Sequence, residues 1–173
     1  MTGLDLDQLR EWVIRPVLAH LGSTSRALEQ LLLGTAIQES RGQYLKQLKG
    51  GPAVGLYQME PATHDDIWRN YLAYHQALAT RVRMLDLQMW YENSAEEMAG
   101  NLYYATAMCA VHYLRRASIK YTRGDIREAR WPLPPADDIA AQARYYKRWY
   151  NTPQGRGSEA EYVQNWREAG LAA

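Results

Sequence analysis

One apolar run constrains this chain more than any other feature. Residues 31–37 read Leu31-Leu32-Leu33-Gly34-Thr35-Ala36-Ile37, apolar on nearly every side of a helix. Such a helix has no face to give to water, so other elements must cover it all round. Two residues on, the run ends at an acid, Glu39, and Ser40-Arg41-Gly42 turns the chain out. A loop carrying Gly50, Gly51, Pro52 and Gly55 returns as Gly55-Leu56-Tyr57-Gln58-Met59, and Pro61 is placed to open the next helix. A carboxyl at the end of a buried helix sits against apolar packing. Desolvation there disfavours the charged form and raises the pKa, which suits a general acid near neutral pH. Gly55 permits close backbone approach, and Gln58 offers an amide donor and acceptor to a polar ligand. Taken singly, these residues also allow plainer readings: a glutamate near a helix end is commonly solvated, and such a loop is commonly only a turn.

The remaining pattern is helical as well. No alternating apolar run is long enough for a sheet, so the spacing predicts an all-α chain of about eight helices in a single domain, residues 1–173. A helix over residues 4–21 places Leu6, Leu9, Trp12, Val13 and Val17 on one side, with Pro16 as a kink or break. Gly22 stops it, and Ser23-Thr24-Ser25 supplies caps for the central helix. Residues 74–91 read as a helix, and Ser94 with Glu97 reads as a capping box opening a long apolar helix to residue 117. The stretch 121–135 reads as a loop, followed by helices over 136–149 and 158–169.

Composition narrows the function classes. The chain is 47% hydrophobic and 23% charged, which places it among globular rather than disordered sequences. A net charge of +1 provides no bulk field for nucleic acid, which is not an expected partner. Basic residues do outnumber acids between His112 and Tyr150; that face could attract an acidic wall polymer, touch nucleic acid, or simply be solvated. Cys109 is the sole cysteine and reads as a small core residue. No metal is expected at His64-Asp65-Asp66, where first-turn acids complement a helix dipole instead, and no cofactor is expected. His112 reads as a structural or exposed histidine. The N-terminus lacks the charged and apolar regions of a signal peptide, and no apolar run suits a membrane span.

The linked order of Glu39-Ser40, a glycine-rich loop, Gly55-Leu56-Tyr57-Gln58-Met59 and Pro61-Ala62-Thr63 resembles the soluble lytic transglycosylases of the lysozyme-like superfamily. In that family Glu-Ser closes the catalytic helix, a Gly-Leu-(aromatic or Met)-Gln-(Ile or Met) segment follows, and then Pro-x-Thr. Tyr113-Leu114 keeps part of a second family segment, with Thr106 and Ala110 where the family has Asn and Gly. Trp149-Tyr150-Asn151-Thr152-Pro153-Gln154-Gly155 resembles the family's Ala-Tyr-Asn-Ala-Gly-Pro-Gly, matching at Tyr150 and Asn151. The likeness covers residues 31–72 well and 106–155 loosely.

The resemblance implies a lysozyme-like helical domain that cleaves the β-1,4 bond between N-acetylmuramic acid and N-acetylglucosamine in the peptidoglycan glycan strand. Glu39 would be the catalytic acid and base. Ser40 would orient it, Gln58 and the backbone near Gly55 would hold sugar with Tyr57 and Met59 alongside, and Tyr150, followed by Asn151, would position Glu39 or the acetamido group. The expected product is a 1,6-anhydromuramoyl end. A hydrolytic muramidase of the same fold, with Glu60, Asp65 or Asp66 as second carboxylate, is the alternative. A structural virion or tail protein with little activity is the alternative of another class. The missing signal fits a bacteriophage protein, in the virion beside other virion proteins or in the host cytoplasm, acting on the periplasmic wall.

Overall fold

The computed structural model describes residues 3–87, 94–117, 132–151, 155 and 157–171, with the backbone of 120–121 and 127–128. The described part is mostly helical, as the apolar spacing requires. Asp5 caps α1 (Leu6–Leu9) by accepting from the Gln8 amide. The chain then passes through a π-helical turn, Arg10–Ile14, into α2 (Arg15–Leu21). Pro16 sits in the first turn of α2, where its missing N–H is tolerated, so the helix continues instead of breaking. The wider π turn shifts the register. Val13 and Ile14 face the core, while Trp12, expected inside, is 72% exposed. Gly22 ends α2 at φ 83°, in the left-handed region that glycine adopts freely.

Ser25 caps α3 (Arg26–Ser40) through the Leu28 amide, and this helix is the centre of the molecule. Leu28, Leu31, Leu32, Leu33, Ala36 and Ile37 are all buried. They are covered by α7 (Leu102–Ala117), α8 (Ile139–Tyr146) and α9 (Glu159–Glu168), and by the N-terminal π turn. Gly34 is required here: a Cβ would lie 1.8 Å from the Tyr162 hydroxyl of α9. α4 (Pro61–Asn70) opens on Pro61, and α5 (Gln76–Arg83) follows a short 3-10 turn, Leu72–Tyr74. The expected helix over 74–91 is therefore shorter and ends at Arg83; residues 88–93 lie outside the described part.

The expected long helix over 95–117 is divided in two. α6 (Glu97–Gly100) ends at Asn101, whose backbone is extended at φ −118°, ψ 96°. Asn101 then caps α7 by accepting from the Tyr104 amide at 3.0 Å. The expected capping box at Ser94 does not form. Ser94 bonds Glu96 instead, and Glu97 is drawn to the Leu87 amide and to Asn101. Tertiary partners outcompete the local motif. At α9 the same motif does form, Ser158 and Glu161 bonding each other's backbone amides. Apart from isolated bridges, the only pairing among the described residues joins β1 (Lys120–Tyr121) to β2 (Arg127–Glu128), antiparallel. The lysozyme-like fold remains an expectation from the sequence; the all-α class is what the structure supports. No helix of the described part is long and apolar enough to cross a membrane.

Candidate active site

α3 delivers Glu39 to the wall of a cavity of about 1160 Å³. The cavity is formed by the end of α3, the loop that follows it, the start of α4, and the chain after α8. Burial pushes the Glu39 carboxyl up from the ordinary carboxylate range to about 7, and a hydrogen bond from Tyr146 pulls it partly back. That bond is short: the Tyr146 hydroxyl donates to Glu39 Oε1 at 2.6 Å. Burial and the neighbouring carboxylate hold the Tyr146 phenol far above its ordinary pKa, so it stays a donor. With Oε1 occupied, Oε2 is the oxygen left to exchange a proton with a ligand.

Tyr150 does not take this role. Its hydroxyl donates to the Tyr57 carbonyl at 2.7 Å, and its ring stacks at 6.0 Å from that of Tyr146. Both tyrosines line the cavity, but the hydroxyl on Glu39 belongs to Tyr146. The tyrosine-rich run contained the signal, since residues four apart share a helix face. If one of the pair reaches the glutamate, the other must be close. Immediately after Tyr146 the helix widens into a π turn, Lys147–Asn151, which carries Tyr150 and Asn151 to the cavity. Lys147 braces this turn by donating to Asn151 Oδ1 at 2.9 Å and to the Gly155 carbonyl at 2.7 Å. Residues 152–154 lie outside the described part.

Other expected residues are placed as follows. Ser40 is buried, donating to the Ala36 carbonyl and accepting from the Gly42 amide. It fixes the turn after α3 and bonds to the backbone, not to Glu39. Gly55 has φ 77°, and a Cβ there would lie 2.5 Å from the Met98 carbonyl. Its close approach is to the α6 end rather than to the cavity. Tyr57 is buried and bonds Thr106 at 3.0 Å, so it serves the wall from behind. Gln58 and Met59 do line the cavity. Gln58 Nε2 donates to the Gly55 carbonyl at 2.9 Å, which leaves Oε1 for a ligand.

The three second-carboxylate candidates separate cleanly. Asp65 pairs with His64, and Asp66 pairs with Asn70 and Arg115, which hold its carboxyl below the usual range. Neither lines the cavity, whereas Glu60 does. Glu161, which the sequence did not single out, also lines it, although its carboxylate is engaged by the Ser158 amide at 2.8 Å. Among the described residues no group of three or more His, Cys, Asp or Glu side chains is arranged to hold a metal.

One residue read from the sequence as structural or exposed, and one that escaped it, also meet the site. His112 lines the cavity and is buried; desolvation and Arg115 push it down to about 3, so it is neutral. Its Nε2–H donates to the Trp149 carbonyl at 2.8 Å and Nδ1 accepts from Arg115 at 3.1 Å, so both nitrogens are committed. Gly157 faces the site bare. A Cβ there would sit 3.2 Å from the Tyr146 hydroxyl. A smaller groove of about 390 Å³ lies between α8 and α9, away from Glu39, with exposed Arg144, Glu159 and Arg167 on its walls. No family model, no curated protein and no solved structure matches the chain.

Proposed function

We propose that the chain is a peptidoglycan-cleaving enzyme, with Glu39 as its acid and base. The observation that carries this reading is the pairing of Glu39 with Tyr146 at the wall of an open cavity, the carboxyl tuned to about 7. A group with this pKa is available in both protonation states near neutral pH, as a residue that first gives and then takes a proton must be. Protonated at Oε2, Glu39 donates to the glycosidic oxygen as the bond to the muramoyl C1 breaks. The substrate's 2-acetamido oxygen attacks C1 as the bond breaks. Glu39, now a carboxylate, removes the proton from the muramoyl 6-hydroxyl, whose oxygen displaces the acetamido group and closes the 1,6-anhydro ring. Tyr146 stabilises the carboxylate stage and fixes which oxygen moves the proton. Gln58, Met59, Tyr150 and Asn151 would contact the sugars from the walls.

This route needs no second acid. Glu60 favours a hydrolytic variant in one respect, since it shares the cavity with Glu39. In a phage setting either cleavage would serve passage through the wall or release from the host. The test is digestion of purified peptidoglycan by wild type and Glu39→Gln, with mass spectrometry of the products. Anhydromuropeptides from wild type alone are expected. Reducing-end products lost in Glu39→Gln and in Glu60→Gln would replace the lytic route by hydrolysis. Absence of cleavage by wild type would remove the enzymatic reading, and equal cleavage by both would remove Glu39 from it.

A further inference from the structure

Three residues of the described part other than glycine have positive φ: Arg41 at 52°, Lys49 at 62° and Gln58 at 47°. All three line the cavity. A left-handed backbone costs an ordinary residue energy that glycine avoids, and such positions concentrate where side chains are held for a ligand. Two of the three are cations. Arg41 follows directly on the helix bearing Glu39, and Lys49 lies in the exposed loop that lines the same cavity. Neither side chain has an ion pair or hydrogen bond among the described residues, although Glu60 and Glu161 share the cavity lining. Between them the loop exposes Tyr44 and Leu48, both also on the cavity. The mouth therefore combines two positive charges that make no ion pair among the described residues with an aromatic and an aliphatic face.

We infer that Arg41 and Lys49 form an anion-recognition subsite, with Tyr44 and Leu48 as its apolar floor, that selects a glycan carrying carboxylates over a neutral N-acetyl glycan. This rests on the proposed function and adds to it a preference for strands whose muramoyl carboxylates are not tied up in peptide. A guanidinium takes a carboxylate through paired N–H donors, and a lysine adds a point charge on a flexible stem. A sugar ring bearing an ether-linked carboxylate presents an apolar face and an anion together, matching the mouth. A neutral polymer of N-acetylglucosamine would leave both cations unanswered.

The experiment uses glycan strands stripped of peptide, so that the muramoyl carboxylates are free, and the same strands with those carboxylates amidated. Cleavage by wild type, Arg41→Gln, Lys49→Gln and the double variant is measured on both, and binding to both is measured with Glu39→Gln. Each single variant is expected to raise KM about three- to fivefold on free strands, at unchanged kcat. Amidation should raise the wild-type KM to that of the double variant, and leave the double variant indifferent. Arg41→Lys should recover part of the loss, whereas Arg41→Gly, which suits the left-handed backbone, should not. Cleavage by wild type with no preference for free carboxylates overturns this inference and leaves the enzymatic reading standing. Charge-selective binding by Glu39→Gln without cleavage by wild type overturns the enzymatic reading and supports the subsite. Neither binding nor cleavage overturns both.

Discussion

Two polar networks cross the interior of this protein, and they end differently. One runs from Asp65 through His64 to Tyr104 and Trp68, beneath α4. With His64 Nδ1–H donating to Asp65, Nε2 accepts from the Tyr104 hydroxyl, whose oxygen accepts the Trp68 indole N–H at 2.9 Å. Both ring nitrogens of His64, the Tyr104 hydroxyl and the Trp68 indole have partners, and none of these side chains lines the cavity. The other runs from Asn151 through Tyr146 to Glu39 and ends there, with one carboxyl oxygen uncommitted beside an open cavity. Both bury polar side chains at comparable distances. Polar burial alone therefore does not mark a site. A committed network specifies packing, whereas an unfinished one facing a cavity leaves bonding capacity for a substrate.

The largest test of this contrast is Glu39→Gln, which should lower the rate of glycan cleavage about 10²- to 10⁴-fold, read by product release from labelled peptidoglycan. Folding should survive the change. Tyr104→Phe should do the reverse. It strands His64 Nε2 and the Trp68 indole in the interior, at a cost of about 2–4 kcal/mol in denaturant unfolding. Cleavage per folded molecule should be unchanged, and a selective loss of activity would break the comparison.

A third test reads Glu39 through stability. The folded state holds the Glu39 proton up to about pH 7, while the unfolded chain releases it near the ordinary carboxylate value of 4.5. The stabilisation from that proton is complete below the lower value and is lost as pH rises through the upper one. Wild type should therefore lose about 2–3 kcal/mol relative to Glu39→Gln between pH 4 and 8, measured by parallel denaturant titrations. A flat difference would mean that Glu39 is solvated.

Tyr146→Phe removes the bond that holds Glu39 down, so the alkaline limb of kcat/KM, near pH 7 in wild type, should move to higher pH. The rate itself should fall about tenfold through loss of positioning. A shift to lower pH would contradict the assigned donor. The smallest effect belongs to Tyr162→Phe. The Tyr162 hydroxyl is buried against Gly34 without a partner among the described residues, so its removal should change stability by no more than about 0.5 kcal/mol. The matching Tyr113→Phe, which deletes a bond to Thr35 at 2.6 Å, should cost about 1 kcal/mol.

Much of the frame was legible because its signals are local. The apolar run of α3 required a buried helix; Ser25 and Ser158 cap their helices through their hydroxyls, Gly22 ends α2 in the left-handed region, and Pro61 opens α4 as its first residue. Glu39 was legible as the one acid at the end of that run. What escaped depends on distant contacts. The π turn after Leu9 turned Trp12 outward, and no residue type announces such a turn. Glu97 abandoned Ser94 because Leu87 and Asn101 offered better partners once the chain was packed. Tyr146 rather than Tyr150 reached Glu39 for the same reason: identical residues one turn apart differ only in what the fold places opposite them. Gly157 matters through the Tyr146 hydroxyl above it, which its neighbours in sequence do not reveal.

The bond between Glu39 and Tyr146 spans 107 residues, and that between Tyr57 and Tyr150 spans 93. Contacts of such separation carry a loop-closure cost that contacts within a helix do not. The central helix can assemble with its near neighbours while Glu39 is still an ordinary, ionised carboxylate. Only docking of the C-terminal third removes water from it and supplies the phenol. Proton affinity at this one position therefore reports whether the C-terminal third has docked, and a chain lacking that contact would carry the acid without its chemistry.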